Sequence, residues 1–494
     1  MIEILTITKK QLIFYIVWII VLILSLLLFS YSLHIIPSLI LFILNLILCI
    51  YGFIYTTINR NIYFFSPIFQ IMYCILFYCG LIGLFYFSKF NNIPFFSSPT
   101  NNESLLINIS LVYFLFCICI LTPYLILKCL KKRININLDY FKRNFVYNRL
   151  INYLIYSEFL ILFFLIILFY VTGFNAYTAL LNPLKFRFAY NHGFAEFIYT
   201  VISLLLKLNL CIILKYVLID KLKTLKFRIC TIIFAIFYIV WFILSGSRSW
   251  ILLPFLYGIY IYTFQTFLRI NLKKILVIVL AAIISISLAA LYFLYRNYQE
   301  ALNSKRFTSN REFNIITSSI ERIDNFSNSV HYFYYIDRKY GSIWNYSDFN
   351  YIKQITSQIT NIIPRTIIPD KGYPISGELT RIIFPSAWNG NVNLIFGGIV
   401  DLFYTGGIFF LIFDSLLFGL FVALLQFNYK KLINYDFFIV NYIVIFLDIP
   451  VMYFAIGLIN TAIINAFIAK SILMLLITFI LSKRILNIKG CIQE

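Results

Sequence analysis

Residues 11–30 read QLIFYIVWIIVLILSLLLFS, an uncharged run behind the pair Lys9 and Lys10. A helix of roughly 20 apolar residues crosses a hydrocarbon core of roughly 30 Å, so this run is long enough to be one membrane span. No small-residue cleavage site follows it, and another apolar run begins almost at once. It therefore reads as a retained first span and not as a removed signal peptide. The same pattern recurs near 35–56, 67–88, 105–127, 151–172, 196–214, 229–245, 250–268, 275–295, 396–426, 436–456 and 462–482. Hydrophobic residues make up 62% of the 494 positions and charged ones only 12%, with a mean hydropathy of +0.90. A soluble chain of this size needs far more charge to cover its surface. Lipid offers the backbone no hydrogen-bond partners, which leaves helices or a closed barrel, and the apolar runs show no strand-type alternation. The expected fold is an all-α polytopic integral membrane protein of about 12 transmembrane helices.

The formal charge of +21 superficially suggests nucleic acid, but its distribution excludes that partner. The excess sits in short segments between spans: Lys9 and Lys10, Lys128 to Arg133, Lys142 and Arg143, Lys215 to Arg228, Lys273 and Lys274, Lys430 and Lys431, Lys483 and Arg484. Loops retained in the cytoplasm carry such positives. With Lys9 and Lys10 inside, the clusters after the fourth, sixth, eighth, tenth and twelfth spans all fall in the cytoplasm, as do both termini. The expected division is 1–295 for spans one to nine, 296–395 for a large, partly helical extracytoplasmic loop, and 396–494 for the last three spans and tail. The nine cysteines, among them Cys74, Cys79, Cys117, Cys119 and Cys230, lie in spans or cytoplasmic segments and none in the long loop. Disulfides and zinc are poor readings of that pattern, and packing or lipid-facing sulfur a better one.

Within the long loop, Ile316, Ile320, Ile323, Val330 and Tyr334 recur at helical spacing between Glu312 and Tyr335, with Glu321, Arg322 and Asp324 between them. That predicts an amphipathic helix on the membrane surface. A second, shorter helix is expected from Phe349 to Ile362. Three prolines over 363–374 then forbid continuous helix.

Candidate chemistry gathers on the outer side. The turn Ser245-Gly-Ser-Arg248-Ser-Trp250 places a forked guanidinium donor beside small residues, suited to a phosphate; an interfacial arginine reaching for headgroups is the alternative. The second outer loop holds Lys185, Arg187 and His192 on the side where positives are scarce. The long loop carries His331, Arg365, Asp370, Lys371, Glu378, Arg381 and Trp388 among many aromatics. Basic groups can hold a diphosphate, and aromatic faces can stack on sugar rings. Beyond it, Phe396-Gly-Gly-Ile-Val-Asp401-Leu-Phe-Tyr-Thr-Gly-Gly-Ile408 has glycines that permit close helix packing, with Asp401 near the outer end of its span. Lys207, Asp414, Asp448 and Lys470 lie deeper, as functional candidates or as internal pairs.

The Ser-Gly-Ser-Arg248 turn, the Ile-Pro-Arg365 to Gly-Glu378-Leu segment and the Phe-Gly-Gly…Asp401-Leu-Phe-Tyr-Thr-Gly-Gly stretch resemble the bacterial O-antigen polymerases, the Wzy-type oligosaccharide repeat-unit polymerases. The architectural likeness covers nearly the whole chain. An Arg-x10-Gly pattern known in some members is absent: Arg365 and Gly377 are one residue too far apart, and no glycine stands at that spacing from Arg187. The resemblance implies an inner-membrane glycosyltransferase whose donor and acceptor are glycans on undecaprenyl diphosphate, with no nucleotide sugar, metal or other cofactor. A chain-length regulator and a flippase are the protein partners it implies, beside membrane lipid. Catalytic roles would fall to Arg248, Arg365, Arg381 and Glu378. Arg187, Lys185, Lys371, Asp370, His331, Trp388 and Asp401 would contact substrate. For a general base the order is Glu378, Asp370, His331, His192. An O-antigen ligase shares this architecture, and a lipid-linked oligosaccharide flippase has similar span counts. A metal-dependent polyprenyl-phosphate sugar transferase usually needs acidic pairs in the first outer loop, which here is only Tyr31 to His34.

Overall fold

The computed structural model describes residues 9–58, 66–88, 102–129, 143–181, 186, 193–218, 224–245, 249–265, 325–350, 375–385, 396–433, 435–446, 472 and 474–484. Among these, seven helices are long and apolar enough to cross a membrane: Ile35–Thr56, Pro67–Phe87, Glu103–Cys129, Tyr147–Thr172, Ile198–Leu218, Leu225–Ser245 and Gly398–Tyr429. Each coincides with an expected span. The helices Lys9–Ser30 and Ser249–Gln265 fall where two more are expected, and Asp436–Asn441 opens a third. The expected span 275–295 and residues 447–471 lie outside the described residues. The protein is helical and membrane-embedded.

The chain divides into two compact units. The first comprises Met1–Asn135, Phe313–Lys430 and Leu447–Asn465. Lys9–Ser30 packs along Ile35–Ile58, and the turn between them is tied to the end of the third span by Leu33 N–H donating to Phe87 O at 2.9 Å. In lipid, apolar contact alone does not select partners, so small residues and buried polar pairs fix the packing. Asn45 Nδ2 accordingly donates to Ser25 Oγ at 3.0 Å. A Cβ added at Gly419 would lie 2.2 Å from the Ile120 carbonyl oxygen, so these two helices touch backbone to backbone. At the other end of the unit, Lys128 closes its helix with its ammonium 5.0 Å from the Tyr55 ring centroid.

The loop helix is real but placed differently from expectation. It spans Asn325–Tyr340, with 312–324 outside the described residues. Phe326, Val330, Tyr332, Phe333 and Ile336 on it are all buried. Phe326 meets the rings of Tyr113, Tyr86 and Phe87 at 4.7, 5.3 and 5.5 Å. The apolar face is thus occupied by protein aromatics instead of resting on lipid. Residues Phe349 and Asn350 are not helical; the rest of the second expected loop helix, and the proline stretch 363–374, lie outside the described residues.

The second unit comprises Ile136–Glu312, Lys431–Phe446 and Ala466–Glu494. Helix Tyr147–Thr172 packs on Gly193–Leu218 and ends at Gly173, whose φ of 71° supplies a left-handed cap. A short antiparallel pair, Arg143–Phe145 with Ser482–Arg484, is a departure from the all-α expectation; three-residue strands leave no periodic signal in sequence. Beside it lies a buried ion pair, Lys215 Nζ to Asp436 Oδ1 at 2.7 Å. Phe145 N–H donates to Asp436 Oδ2 at 3.0 Å, and Tyr216 OH approaches the same oxygen at 3.5 Å. Lys215 was expected as a solvated loop positive. Here a carboxylate with two further donors compensates its burial.

Candidate functional site

The site is built around a broken helix in the first unit. Gly398–Leu432 carries two non-helical residues, Gly406 (φ −170°, ψ 33°) and Gly407 (φ 65°, ψ −157°). The glycines of the Phe-Gly-Gly…Thr-Gly-Gly stretch were expected to serve close packing, and this pair instead breaks the span. Gly407 occupies the left-handed half of conformational space, and a Cβ there would lie 2.9 Å from the Tyr346 carbonyl oxygen. Such a break strips two carbonyls of their helical donors, and a buried carbonyl without a donor is costly. The segment after the loop helix supplies replacements. Tyr346 OH donates to Tyr404 O at 3.0 Å and Asn350 Nδ2 to the same oxygen at 3.1 Å. Asn350 N–H donates to Thr405 O at 2.8 Å. Stacking of Tyr346 on Phe403 at 5.5 Å fixes the brace against the helix, and Tyr340 OH, bonded to Asp348, shapes its other end.

Just ahead of the break stand Asp401 and Tyr404, three residues apart and therefore on one helix face. Asp401 begins the helix, its N–H donating to Gly397 O at 3.2 Å. Its residue is only 1% exposed, and its Oδ2 has no hydrogen-bond partner among the described residues. The Tyr404 side chain is hydrogen-bonded to Glu378, which lies half-buried in the short helix Ile375–Ile383. Arg381, one turn further on, is exposed. The loop helix packs on this short helix and contributes His331, whose ring meets Phe384 edge-on at 5.0 Å. Burial pushes His331 down from 6.5 to about 4, so the imidazole is neutral near pH 7. Phe384 in turn stacks on Phe396 at 6.3 Å, and Ser329 Oγ donates to Phe396 O at 2.7 Å. The structure thus gathers Asp401, Glu378, Arg381 and His331, four of the residues singled out from sequence, around one end of one broken helix.

The others, Arg248, Arg365, Arg187, Lys185, Lys371, Asp370, Trp388 and His192, lie outside the described residues, as do Asp448 and Lys470. Cys117 and Cys119 are buried packing residues. No group of three or more His, Cys, Asp or Glu side chains able to hold a metal occurs among the described residues. Sequence reasoning passed over Tyr404 and Asn350, and read Tyr346 only as one of the loop aromatics. A Gly-Gly pair inside an apolar run was the available signal, since it marks a helix break whose freed carbonyls need donors. It also passed over Glu158, a carboxyl inside a span, buried and with Oε1 lacking a hydrogen bond among the described residues. What the arrangement offers is two carboxyls, an imidazole and an exposed arginine among packed aromatics, near the head of a membrane helix. No protein-family model, no curated protein and no solved structure matches this chain.

Proposed function

We propose that this protein is a membrane glycosyltransferase that joins lipid-diphosphate-linked oligosaccharide repeat units into a surface polysaccharide, working at the extracytoplasmic face of the bacterial inner membrane. The observation that carries the reading is the cluster of Asp401, Glu378, Arg381 and His331 near the head of the broken helix, in a chain with seven described helices long and apolar enough to cross a membrane. A substrate with a hydrocarbon anchor and a polar sugar needs such a place, where an apolar bundle gives way to hydrogen-bonding groups. The positive-inside pattern favours the outer face for that end, because Lys128 belongs to the opposite end of the same unit.

In this reading the donor glycan sits on undecaprenyl diphosphate and the acceptor is one repeat unit on a second lipid. Charge grows on the departing diphosphate, and fixed cations stabilise it more in the transition state than in the ground state. In this reading the exposed Arg381 takes that role, with Arg248, Arg365 and Lys371 as further cations. The loop aromatics, Trp388 among them, would supply faces for sugar rings. A chain-length regulator and a flippase are its expected protein partners, and an O-antigen ligase is the nearest alternative. The test is purified protein in liposomes with single-repeat glycolipid alone. A glycan ladder formed without nucleotide sugar or divalent ion is expected; no chain growth under any of these conditions removes the reading. Complete chains left on their lipid in cells lacking the protein would point to the ligase.

A further inference from the structure

We propose that the turn at 341–345 presents Trp344 as a stacking platform for uncharged sugar rings of the glycan chain, with Lys339, Tyr340 and Asp348 as its polar flank; the proposal rests on the glycosyltransferase reading above. The turn follows the loop helix Asn325–Tyr340 and holds one ring outward. Gly341 takes a left-handed φ of 74°, and a Cβ added there would meet nothing within 4 Å, so the backbone conformation and not crowding calls for glycine. Ser342 Oγ then accepts from Trp344 N–H at 3.3 Å, and Asn345 Nδ2 donates back to Tyr340 O at 3.4 Å. Ile343 is 0% exposed and anchors the turn, while Trp344 beside it is 42% exposed. The indole meets no other ring among the described residues. It does not stand alone on the surface: Tyr340 is half-buried and Phe349 exposed on the same short segment, and a rigid cluster of open aromatic faces marks a binding surface.

The polar groups beside the ring decide the class of ligand. Tyr340 OH donates to Asp348, and the Lys339 ammonium stands 4.9 Å from the Tyr340 ring centroid. Lys339, Asn345 and Asp348 are all exposed, so the surface offers donors and acceptors together. Over 325–350 the acids Asp337 and Asp348 cancel Arg338 and Lys339, in a chain of formal charge +21. Anionic lipid headgroups draw surfaces with surplus cations, which this one lacks. A patch with no net charge, hydrogen-bonding groups and an open aromatic face suits a polyhydroxylated ring. The location fits as well. Two residues beyond Trp344, Tyr346 OH donates to Tyr404 O, and the Tyr404 side chain is bonded to Glu378. The brace of the broken helix therefore fixes the platform to the candidate site, where it receives glycan beyond the reacting sugars.

The experiment uses the full chain in liposomes with single-repeat glycolipid extracted from cells lacking the protein. Failure of the wild-type chain to make a ladder counts against the glycosyltransferase reading itself, before any variant is compared. Given a wild-type ladder, mild acid releases its multi-repeat glycan, and calorimetry follows the binding of that free glycan to the full-length protein. Trp344→Ala is expected to weaken binding about tenfold, the size usual for losing an aromatic anchor, and to shift the ladder toward shorter chains with the melting temperature unchanged. Trp344→Phe keeps an aromatic face and is expected to recover most of the affinity. Wild-type affinity in Trp344→Ala overturns the proposal, and so does a loss in Trp344→Phe as deep as in Trp344→Ala. Fluorescence separates glycan from membrane. Shielding from iodide by the glycan, seen in wild type and missing in Trp344→Phe, supports the platform. Quenching by bromine-labelled phospholipid that disappears in Trp344→Phe and is unaffected by glycan overturns it in favour of an interfacial anchor.

Discussion

Asp401 and Asp436 are two buried aspartates in the first turns of apolar helices, and their surroundings are opposite. Asp436 accepts from the Lys215 ammonium, from Phe145 N–H and from Tyr216 OH, and its own N–H donates to Asn144 Oδ1 at 3.2 Å. The carboxyl of Asp401 has no such set. One acid is satisfied from several directions and ties a strand to two helices. The other is held by its backbone alone. A buried charge that is fully compensated in the folded chain contributes to the fold, whereas a buried carboxyl without donors weighs against it.

The largest test of this contrast is the same substitution made twice. Asp436→Asn leaves the Lys215 ammonium buried without its counter-ion, and breaking a buried pair in this way typically costs about 3–5 kcal/mol. Asp401→Asn removes a carboxyl that no described residue answers, and the protein is expected to keep or gain stability. Thermal unfolding in detergent compares the two directly. Equal losses in both variants would erase the distinction. The double variant Lys215→Met with Asp436→Leu should recover most of the loss, because two well-packed apolar side chains replace the pair without stranding a charge.

Next in size comes the broken helix. Gly407→Ala forces an L side chain into the left-handed region and sets its Cβ 2.9 Å from the Tyr346 carbonyl oxygen. Strain of this kind costs about 1–3 kcal/mol. Gly173→Ala places a side chain at a similar φ, 71°, with nothing within 4 Å. It shares the strain and lacks the collision, so its loss of melting temperature should be the smaller of the two. An equal loss would show that the brace at Tyr346 yields freely.

Smaller again is Asn350→Ala. It removes one of two donors to Tyr404 O while Tyr346 OH remains, and the backbone bond from Asn350 N–H to Thr405 O is untouched. A typical hydrogen bond contributes about 1 kcal/mol net, and the shared acceptor keeps the expected cost at or below that. Adding Tyr346→Phe strands the carbonyl, so the double loss should exceed the sum of the single ones. Simple additivity in that cycle would mean the two donors do not share a task.

Much of the membrane architecture is legible in the sequence because its cause is local: twenty apolar residues in a row need no distant partner to be recognised. Each of the seven long helices fell on an expected run, from Ile35–Thr56 to Gly398–Tyr429. The candidate site is legible in its membership and not in its arrangement. Asp401, Glu378, Arg381 and His331 were singled out as residue types in outer segments, yet nothing in their spacing says that Glu378 meets Tyr404. The loop helix shows the same limit. Its periodicity marks an apolar face but cannot distinguish lipid from Tyr113 and Phe87 as the surface that face covers. The Lys215–Asp436 pair was missed because a lysine at the end of a span reads as a loop positive until its partner, 221 residues away, is folded beside it. The Gly-Gly pair could have been read as a break, since apolar spans tolerate irregular backbone only where something re-satisfies it.

A last test separates the site from the ion pair by pH. His331 has its folded-state value lowered by burial from 6.5 to about 4, so between those values the unfolded chain binds a proton that the folded chain refuses. Stability then rises with pH across that window: the contribution is fully present above 6.5 and is lost as the pH falls toward 4. The packing of His331 on Phe384 carries the short helix of Glu378, so acidification should loosen the cluster around Asp401 before it reaches the second unit. Melting curves of wild type and His331→Gln at pH 4.5 and 7.5 make the comparison, and the variant should show the shallower dependence. Hydrogen exchange at the lower pH should rise first in 375–383 and only later in 143–145. Simultaneous loss of protection in both would mean that neutral His331 is not what holds the candidate site closed.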